Sequence, residues 1–132
     1  MNYIIIDDEP IARKGIRLLA DEIVDLNCLG EYADPIIAEQ SIPSLISLDL
    51  IFLDIEMPGQ TGFDLLAQLK TIPIVVFCTA YDQYALEAFE TNSIDYLVKP
   101  VKLERIKKTV EKLKTFDKNK SSEEILTVLI KI

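Results

Sequence analysis

Acidic, hydroxyl and ammonium side chains stand at the ends of short apolar runs in this 132-residue sequence. Asp7-Asp8-Glu9 follow Tyr3–Ile6 (YIII), Asp54 follows Leu50–Leu53 (LIFL), Thr79-Ala80 follow Ile74–Cys78 (IVVFC), and Lys99 follows Ile94–Leu97. A lone carboxylate after a strand commonly caps the next helix, and Asp8 alone would bear that reading. Carboxylates delivered from two neighbouring strand ends are different, because they repel unless a cation joins them. Hard oxygen donors with room for water suit Mg²⁺, which prefers octahedral coordination at about 2.0–2.1 Å. Such an ion can bridge carboxylate and phosphoryl oxygens while a lysine offsets a further charge. An aspartate in that setting can itself be the nucleophile and form an acyl phosphate, which makes Asp54 the candidate phosphoacceptor. Thr79 would donate its hydroxyl to the same phosphoryl group, and Ala80 would leave access.

Composition narrows the chemistry further. The sequence has no histidine and two cysteines, so a Cys/His zinc site is excluded, and both Cys28 and Cys78 are expected as buried free thiols in apolar runs. The net charge of -8 is unevenly spread: residues 1–98 carry 4 basic and 17 acidic side chains, whereas residues 99–120 carry 9 basic and 3 acidic. An acidic body repels phosphate backbones. The basic stretch, with Glu104 and Glu111 among its lysines, has the pattern of a solvated helix face rather than a nucleic-acid contact. Apolar runs fall well short of the ~20 residues a bilayer span needs, and Asp7, Asp8 and Glu9 interrupt the start where a signal peptide would be apolar. No membrane association and a cytoplasmic location are therefore expected.

These residues need elements that place them on one edge. Apolar β-type runs alternate with segments of helical period, as in βαβ units with a parallel sheet. The predicted strands are Tyr3–Ile6, Asn27–Tyr32, Leu50–Leu53, Ile74–Cys78 and Ile94–Leu97. The predicted helices begin at Pro10, run from about Pro35 to Leu45, follow the turn Met57-Pro58-Gly59-Gln60-Thr61-Gly62 through Leu69, run from about Gln83 to Glu90, and end with about Leu103 to Phe116. Strands this apolar are expected to be buried on both faces, and right-handed crossovers then give a doubly wound three-layer α/β sandwich. In such a sheet, ligands bind beyond the carboxyl ends of the strands, where the acids, Thr79 and Lys99 all fall. Asp117–Glu124 reads as a linker. Ile125–Ile132 (ILTVLIKI) reads either as a tail docking on this domain or as the first strand of another.

The ordered set Asp7-Asp8, Asp54 with Met57-Pro58-Gly59 and Gly62, Thr79-Ala80, and Tyr96 before Lys99-Pro100 resembles the receiver domains of bacterial two-component response regulators, over residues 1–116. Finer features are similar to the LytTR (LytR/AlgR) branch: Asp8-Glu9-Pro10-Ile11-Ala12-Arg13, the run from Thr79 to Glu90, and Asp95-Tyr96-Leu97-Val98-Lys99-Pro100. The resemblance implies a flavodoxin-like five-stranded parallel sheet in the order 2-1-3-4-5. It also implies a receiver at 1–116, a linker at 117–124, and at 125–132 a tail or the start of a β-rich DNA-binding output domain.

By the same resemblance, Asp54 takes the phosphoryl group, Asp8 binds Mg²⁺ directly, Asp7 helps directly or through water, and the Glu56 backbone carbonyl is a further ligand. Lys99 pairs with Asp54 or the phosphoryl group, Thr79 moves towards it, Tyr96 changes rotamer, and the Lys99–Pro100 peptide is cis. The implied partners are a sensor histidine kinase and, upon phosphorylation, a second copy of the chain. That second copy would meet the surface formed by residues 83–90, the fifth strand and the last helix, with Tyr84, Glu87, Asp95, Arg105, Lys107, Lys108 and Lys112 at the contact. DNA would be reached only through the output domain. The chain would be a switch rather than an enzyme, catalysing only its own phosphorylation and dephosphorylation. Two alternatives are a phosphohydrolase with an aspartyl nucleophile and a stand-alone receiver acting on a partner protein. The first wants a second aspartate two residues after the nucleophile, where this chain has Glu56, and an inserted cap for which there is no spare sequence.

Overall fold

The computed structural model describes residues 1–80, 83 and 93–114. Five strands form one parallel sheet: β1 (Asn2–Ile6), β2 (Asn27–Tyr32), β3 (Leu50–Leu53), β4 (Ile74–Thr79) and β5 (Ser93–Val98), in the order β2-β1-β3-β4-β5. Strand order reverses between β1 and β3, and the crevice beyond their carboxyl ends is where a doubly wound sheet binds ligands. The registers Ile6↔Leu53 and Leu53↔Phe77 bring the residues just after β1 and β3 level with the end of β4.

Alternation along each strand divides the core in two. Tyr3 and Ile5 of β1, with Leu50, Phe52, Val76 and Cys78, pack towards Ile16 and Ala20 of α1 (Pro10–Asp21) and Ile106, Val110 and Leu113 of α4 (Leu103–Lys114). Ile4 and Ile6, with Ile51, Leu53, Val75 and Phe77, pack towards Ala38 of α2 (Pro35–Ser41) and Leu65 and Leu66 of α3 (Gly62–Gln68). The strands β1, β3 and β4 are therefore covered on both faces, as their near-continuous apolar sequences require.

Local signals account for the helix starts. Pro10 and Pro35 occupy first-turn positions, Asp34 accepts from the Ile36 amide at 2.8 Å, and Thr61 with Asp64 closes a reciprocal capping box at α3. Gly59 has φ +90°, the left-handed turn conformation that glycine adopts without steric cost. In α4, Glu104 lies in the first turn and Lys112 and Lys114 in the last, complementing the helix dipole.

Several boundaries differ from the sequence reading. The helix expected to reach Leu45 stops at Ser41 and continues as a 3₁₀ turn over Ile42–Ser44, because Pro43 has no amide to extend the i→i−4 ladder. β4 and β5 are each longer by polar or edge residues that apolar pattern matching leaves out, Thr79 among them. β2 is an edge strand with no buried residue, so Cys28 is half-buried whereas Cys78 is buried. The expected helix at 83–90, the linker at 117–124 and the segment 125–132 lie outside the described residues, except Gln83.

Candidate functional site

The carboxyl edge of the sheet gathers residues from three strand ends. Asp7 leaves β1 with its amide held by the Tyr32 carbonyl of β2 at 3.0 Å. Its Oδ1 accepts from the Glu9 amide at 2.9 Å, an Asx turn that carries the chain round into α1. Arg13, one helical turn into α1, donates through Nη1 to the Asp7 carbonyl oxygen at 2.7 Å. Asp54 leaves β3 with its amide on the Ile6 carbonyl at 2.9 Å, and its Oδ1 accepts from the Ile55 amide at 2.8 Å. Lys99 follows β5 and is fixed by its own amide, which donates to the Thr79 carbonyl at 2.7 Å. The Lys99–Pro100 peptide is cis.

Only Gly62 allows this edge to close against α3. Its amide donates to the Ile55 carbonyl at 2.7 Å, and a β-carbon at this position would collide with the Asp54 carbonyl oxygen. The start of α3 is thus pressed directly against the backbone of the candidate nucleophile.

Lys99 Nζ reaches three carboxylates, at 2.7 Å from Asp7 Oδ2, 3.2 Å from Glu9 Oε1 and 3.3 Å from Asp54 Oδ2. Asp7 and Asp54 are both buried, Asp8 is half-buried and Glu9 exposed. One oxygen from each of these four acids lies within 4.8 Å of the others. Burial, and then the neighbouring Asp7 carboxylate, push the Asp54 carboxyl up to about 6 in spite of Lys99 and the Ile55 amide, which act to lower it. Burial would lower the Lys99 ammonium, but its bonds to Asp7, Asp54 and Glu9 outweigh that and hold its pKa above the usual lysine range. A buried carboxyl shifted upward beside a second acid and an ion-paired lysine is an arrangement that clusters at functional sites.

The donor set fits a small hard cation. Among the described residues four carboxylates cluster here and Lys99 pairs with three of them, while the buried Asp7 Oδ2 has an ion pair with Lys99 but no aligned hydrogen bond. Oxygen-only ligation with an open, partly exposed side is what Mg²⁺ accepts.

The structure brings Asp7, Asp8, Asp54 and Lys99 together. Thr79 is buried at the end of β4, two residues beyond Phe77, the strand partner of Leu53, and so stands on the same edge. Tyr96 is half-buried, with its ring 6.4 Å from that of Phe77, which in turn lies 5.0 Å from Phe63 of α3. Glu56 is exposed in the loop after Asp54. Sequence reasoning did not single out Glu9 as a Lys99 partner, nor Arg13 as a clamp on Asp7. The spacing of four residues between Glu9 and Arg13 points only to a pair between those two, so neither contact had a signal in the sequence.

Some residues expected at a protein contact are committed within the chain. Asp95 Oδ1 and Oδ2 take both Arg105 Nη atoms at 2.6 and 2.8 Å, the Thr109 hydroxyl at 2.8 Å and Lys112 Nζ at 3.3 Å. The Tyr96 amide donates to Asp95 Oδ1 at 2.9 Å. Burial would raise the Asp95 carboxyl, but these donors, Arg105 foremost, hold it below the usual range. Tyr84 and Glu87 lie outside the described residues.

Residues 3–111 match the family model for the response regulator receiver domain. The chain is 48% identical over 115 residues to an uncharacterized response regulatory protein of Vibrio vulnificus, covering 86% of this chain and 47% of that protein. It is 40% identical over 119 residues to the sensory transduction protein LytR of Staphylococcus haemolyticus, covering 86% and 45% respectively. The chain spans about half the length of the curated relatives it matches. Among solved structures, the response regulatory domain of protein mrkE from Klebsiella pneumoniae superposes with a TM-score of 0.78 at 32% identity, over 87% of this chain and 96% of that one. The REC domain of AraT from Geobacillus stearothermophilus gives 0.73 at 31% identity, over 86% and 92%.

Proposed function

This chain belongs to the response regulator receiver domain family, and from that premise we propose that it is a phosphorylation switch whose phosphoacceptor is Asp54. The observation that carries the reading is the buried Asp54 carboxylate at the end of β3, with Lys99 Nζ 3.3 Å away and Asp7 beside it. In the proposed step an Asp54 oxygen attacks the phosphorus of a donor phosphohistidine. The phosphorus–nitrogen bond breaks, the imidazole leaves with a proton from solvent, and an aspartyl acyl phosphate forms. Lys99 keeps Asp54 ionised for attack and then faces the added negative charge. Asp7, Asp8 and Asp54, with the Glu56 carbonyl, would hold Mg²⁺, which when bound neutralises charge on the phosphoryl oxygens.

The aspartyl phosphate carries roughly -1.5 to -2 charges in place of the single carboxylate charge, together with three acceptor oxygens. In this reading the Thr79 hydroxyl turns towards them and Tyr96 takes the space it leaves, so that the β5 surface changes. The donor is a sensor histidine kinase and the setting is the cytoplasm. Among the described residues no helix is long and apolar enough to cross a membrane. Residues 1–116 form the receiver, 117–124 the linker, and 125–132 begin a DNA-binding output domain, a reading supported by relatives about twice this length, among them a transcriptional regulatory protein of Salmonella typhi. The switch acts on that output through self-association at the β5 and α4 face.

Incubation with acetyl phosphate and Mg²⁺, followed by mass spectrometry of the intact chain, tests the central claim. A single phosphoryl adduct is expected, lost in Asp54→Asn and in EDTA. An adduct that persists in Asp54→Asn at full stoichiometry would overturn the assignment. Sedimentation with and without beryllofluoride tests the association: a monomer in both conditions would remove it.

A further inference from the structure

We propose that Arg13 is a positioning residue for the metal-binding acids, acting through the peptide group that joins Asp7 to Asp8. The proposal rests on the reading of Asp7 and Asp8 as Mg²⁺ ligands. Arg13 Nη1 donates to the Asp7 carbonyl oxygen at 2.7 Å, and its Nε lies 4.0 Å from Glu31 on β2. The side chain is only 18% exposed. Among the described residues it makes no ion pair with Asp7, Asp8, Glu9 or Asp54, although it is a permanent cation bonded to the Asp7 backbone.

The geometry explains why a main-chain contact matters here. The Asp7 amide is already held by the Tyr32 carbonyl, and the preceding carbonyl, that of Ile6, is taken by Asp54. The Asp7 carbonyl is the first oxygen beyond the sheet ladder, and a buried carbonyl needs a partner. Arg13 supplies it. Because the peptide unit is planar, fixing the Asp7 carbonyl also fixes the amide and α-carbon of Asp8 on its other side. The Asx turn from Asp7 Oδ1 to the Glu9 amide fixes the next step of the chain. Asp8 is therefore aimed by a clamp anchored on α1, while Glu31 draws the guanidinium towards β2 and leaves the acids free for a cation. Preorganisation of this kind raises affinity by removing the cost of ordering the ligand.

The sign of the effect separates positioning from mere charge. If Arg13 acted only as a nearby positive charge, its removal would strengthen binding of a dication. If it positions Asp8, removal weakens binding. The test titrates Mg²⁺ alone into the 132-residue chain by calorimetry, for the native sequence, Arg13→Met, Arg13→Lys and Lys14→Met, and records the Asp8 and Glu9 amide resonances in EDTA. Arg13→Met is expected to lose threefold to tenfold in Mg²⁺ affinity and to shift both amides. Arg13→Lys, which keeps the charge and one donor, is expected to recover part of the affinity. Lys14→Met, the same charge change on an exposed residue of α1, is expected to leave affinity unchanged or slightly tighter. Arg13→Met and Arg13→Lys binding as tightly as the native chain, or tighter, overturns the proposal, as do unmoved amides in EDTA. Should Arg13→Met not fold, Arg13→Lys carries both measurements. A native chain with no saturable Mg²⁺ binding removes the metal reading itself, and the EDTA amides still decide whether Arg13 holds the turn.

Discussion

Lys99 Nζ lies 2.7 Å from Asp7 Oδ2, nearer than to the carboxylate of Asp54 it faces at 3.3 Å. The ammonium thus sits among the oxygens a divalent cation would use and holds the acids together in its absence. Replacing it removes both effects. Lys99→Met is expected to lower the melting temperature in EDTA, because Asp7 and Asp54 then repel across a buried gap. It is also expected to bind Mg²⁺ several-fold more tightly, since a competing charge has gone. Calorimetric titration beside melting curves in EDTA and in saturating Mg²⁺ reads both. Weaker Mg²⁺ binding in Lys99→Met would show that the ammonium supports the ion rather than substituting for it.

Asp54 gives a pH dependence of opposite sign to most carboxylates. Its folded pKa of about 6 lies above its ordinary value of 3.8. The folded state therefore binds the proton more tightly than the unfolded state, and the native chain loses stability as pH rises from about 4 through about 6. Asp54→Asn carries no such charge. In EDTA at pH 7.5 the variant is expected to be more stable by on the order of 1–2 kcal/mol, a gap that roughly halves near pH 5. Urea unfolding at pH 5, 6 and 7.5 measures it, and a gap that widens towards pH 5 would refute the shift.

The fold was legible where periodicity was unambiguous. Runs such as Ile74–Cys78 have no reading other than strand between helical segments, and the polar residues ending them mark the carboxyl edge. What the sequence left hidden depends on tertiary partners. Pro43 is compatible with a helix start as well as its end, so the break after Ser41 was invisible. Cys28 and Cys78 both sit in strand-like runs, and the Asn27, Gly30 and Glu31 around Cys28 were the sequence's only mark that its strand lies at the edge. Asp7, Asp8, Asp54 and Lys99 could be picked out by residue type, whereas Arg13 acts on a carbonyl oxygen, which leaves no trace in composition. Asp95 and Arg105 looked like free surface charges because their pairing joins β5 to α4 across ten residues.

That pairing makes Asp95 the counterpart of Asp54. Its carboxylate is buried but satisfied by Arg105, Thr109, Lys112 and the Tyr96 amide, which lower its pKa. Its stabilising contribution is complete above the unfolded value near 3.8 and is lost as pH falls through the lower folded value. Asp95→Ala is expected to cost about 2 kcal/mol, nearly constant between pH 5 and 8, because the arginine and lysine partners are part-exposed and can rehydrate. Chemical denaturation across that range checks it. A cost that vanishes by pH 5 would mean the clamp is weaker than its distances suggest.

The junction between Gly62 and Asp54 supplies a purely steric test. A methyl group on residue 62 would meet the Asp54 carbonyl and press on Leu53, and neither can retreat, since Leu53 is fully buried and the Asp54 amide is pinned to Ile6. The start of α3 must then move outward, breaking the 2.7 Å bond from the Gly62 amide to Ile55. Gly62→Ala normally gains helix propensity, about 1 kcal/mol in an exposed helix interior. Here the clash is expected to reverse the sign and leave the variant about 1–3 kcal/mol less stable, the range for overpacking a filled core. Because the displaced carbonyl belongs to Asp54 itself, acetyl phosphate labelling should slow more than twofold even in the fraction that remains folded. Gly15→Ala, in open space on α1, is the control and should be neutral or stabilising. Equal responses at positions 15 and 62 would show that α3 yields to the methyl group, and that its contact with the nucleophile strand is slack.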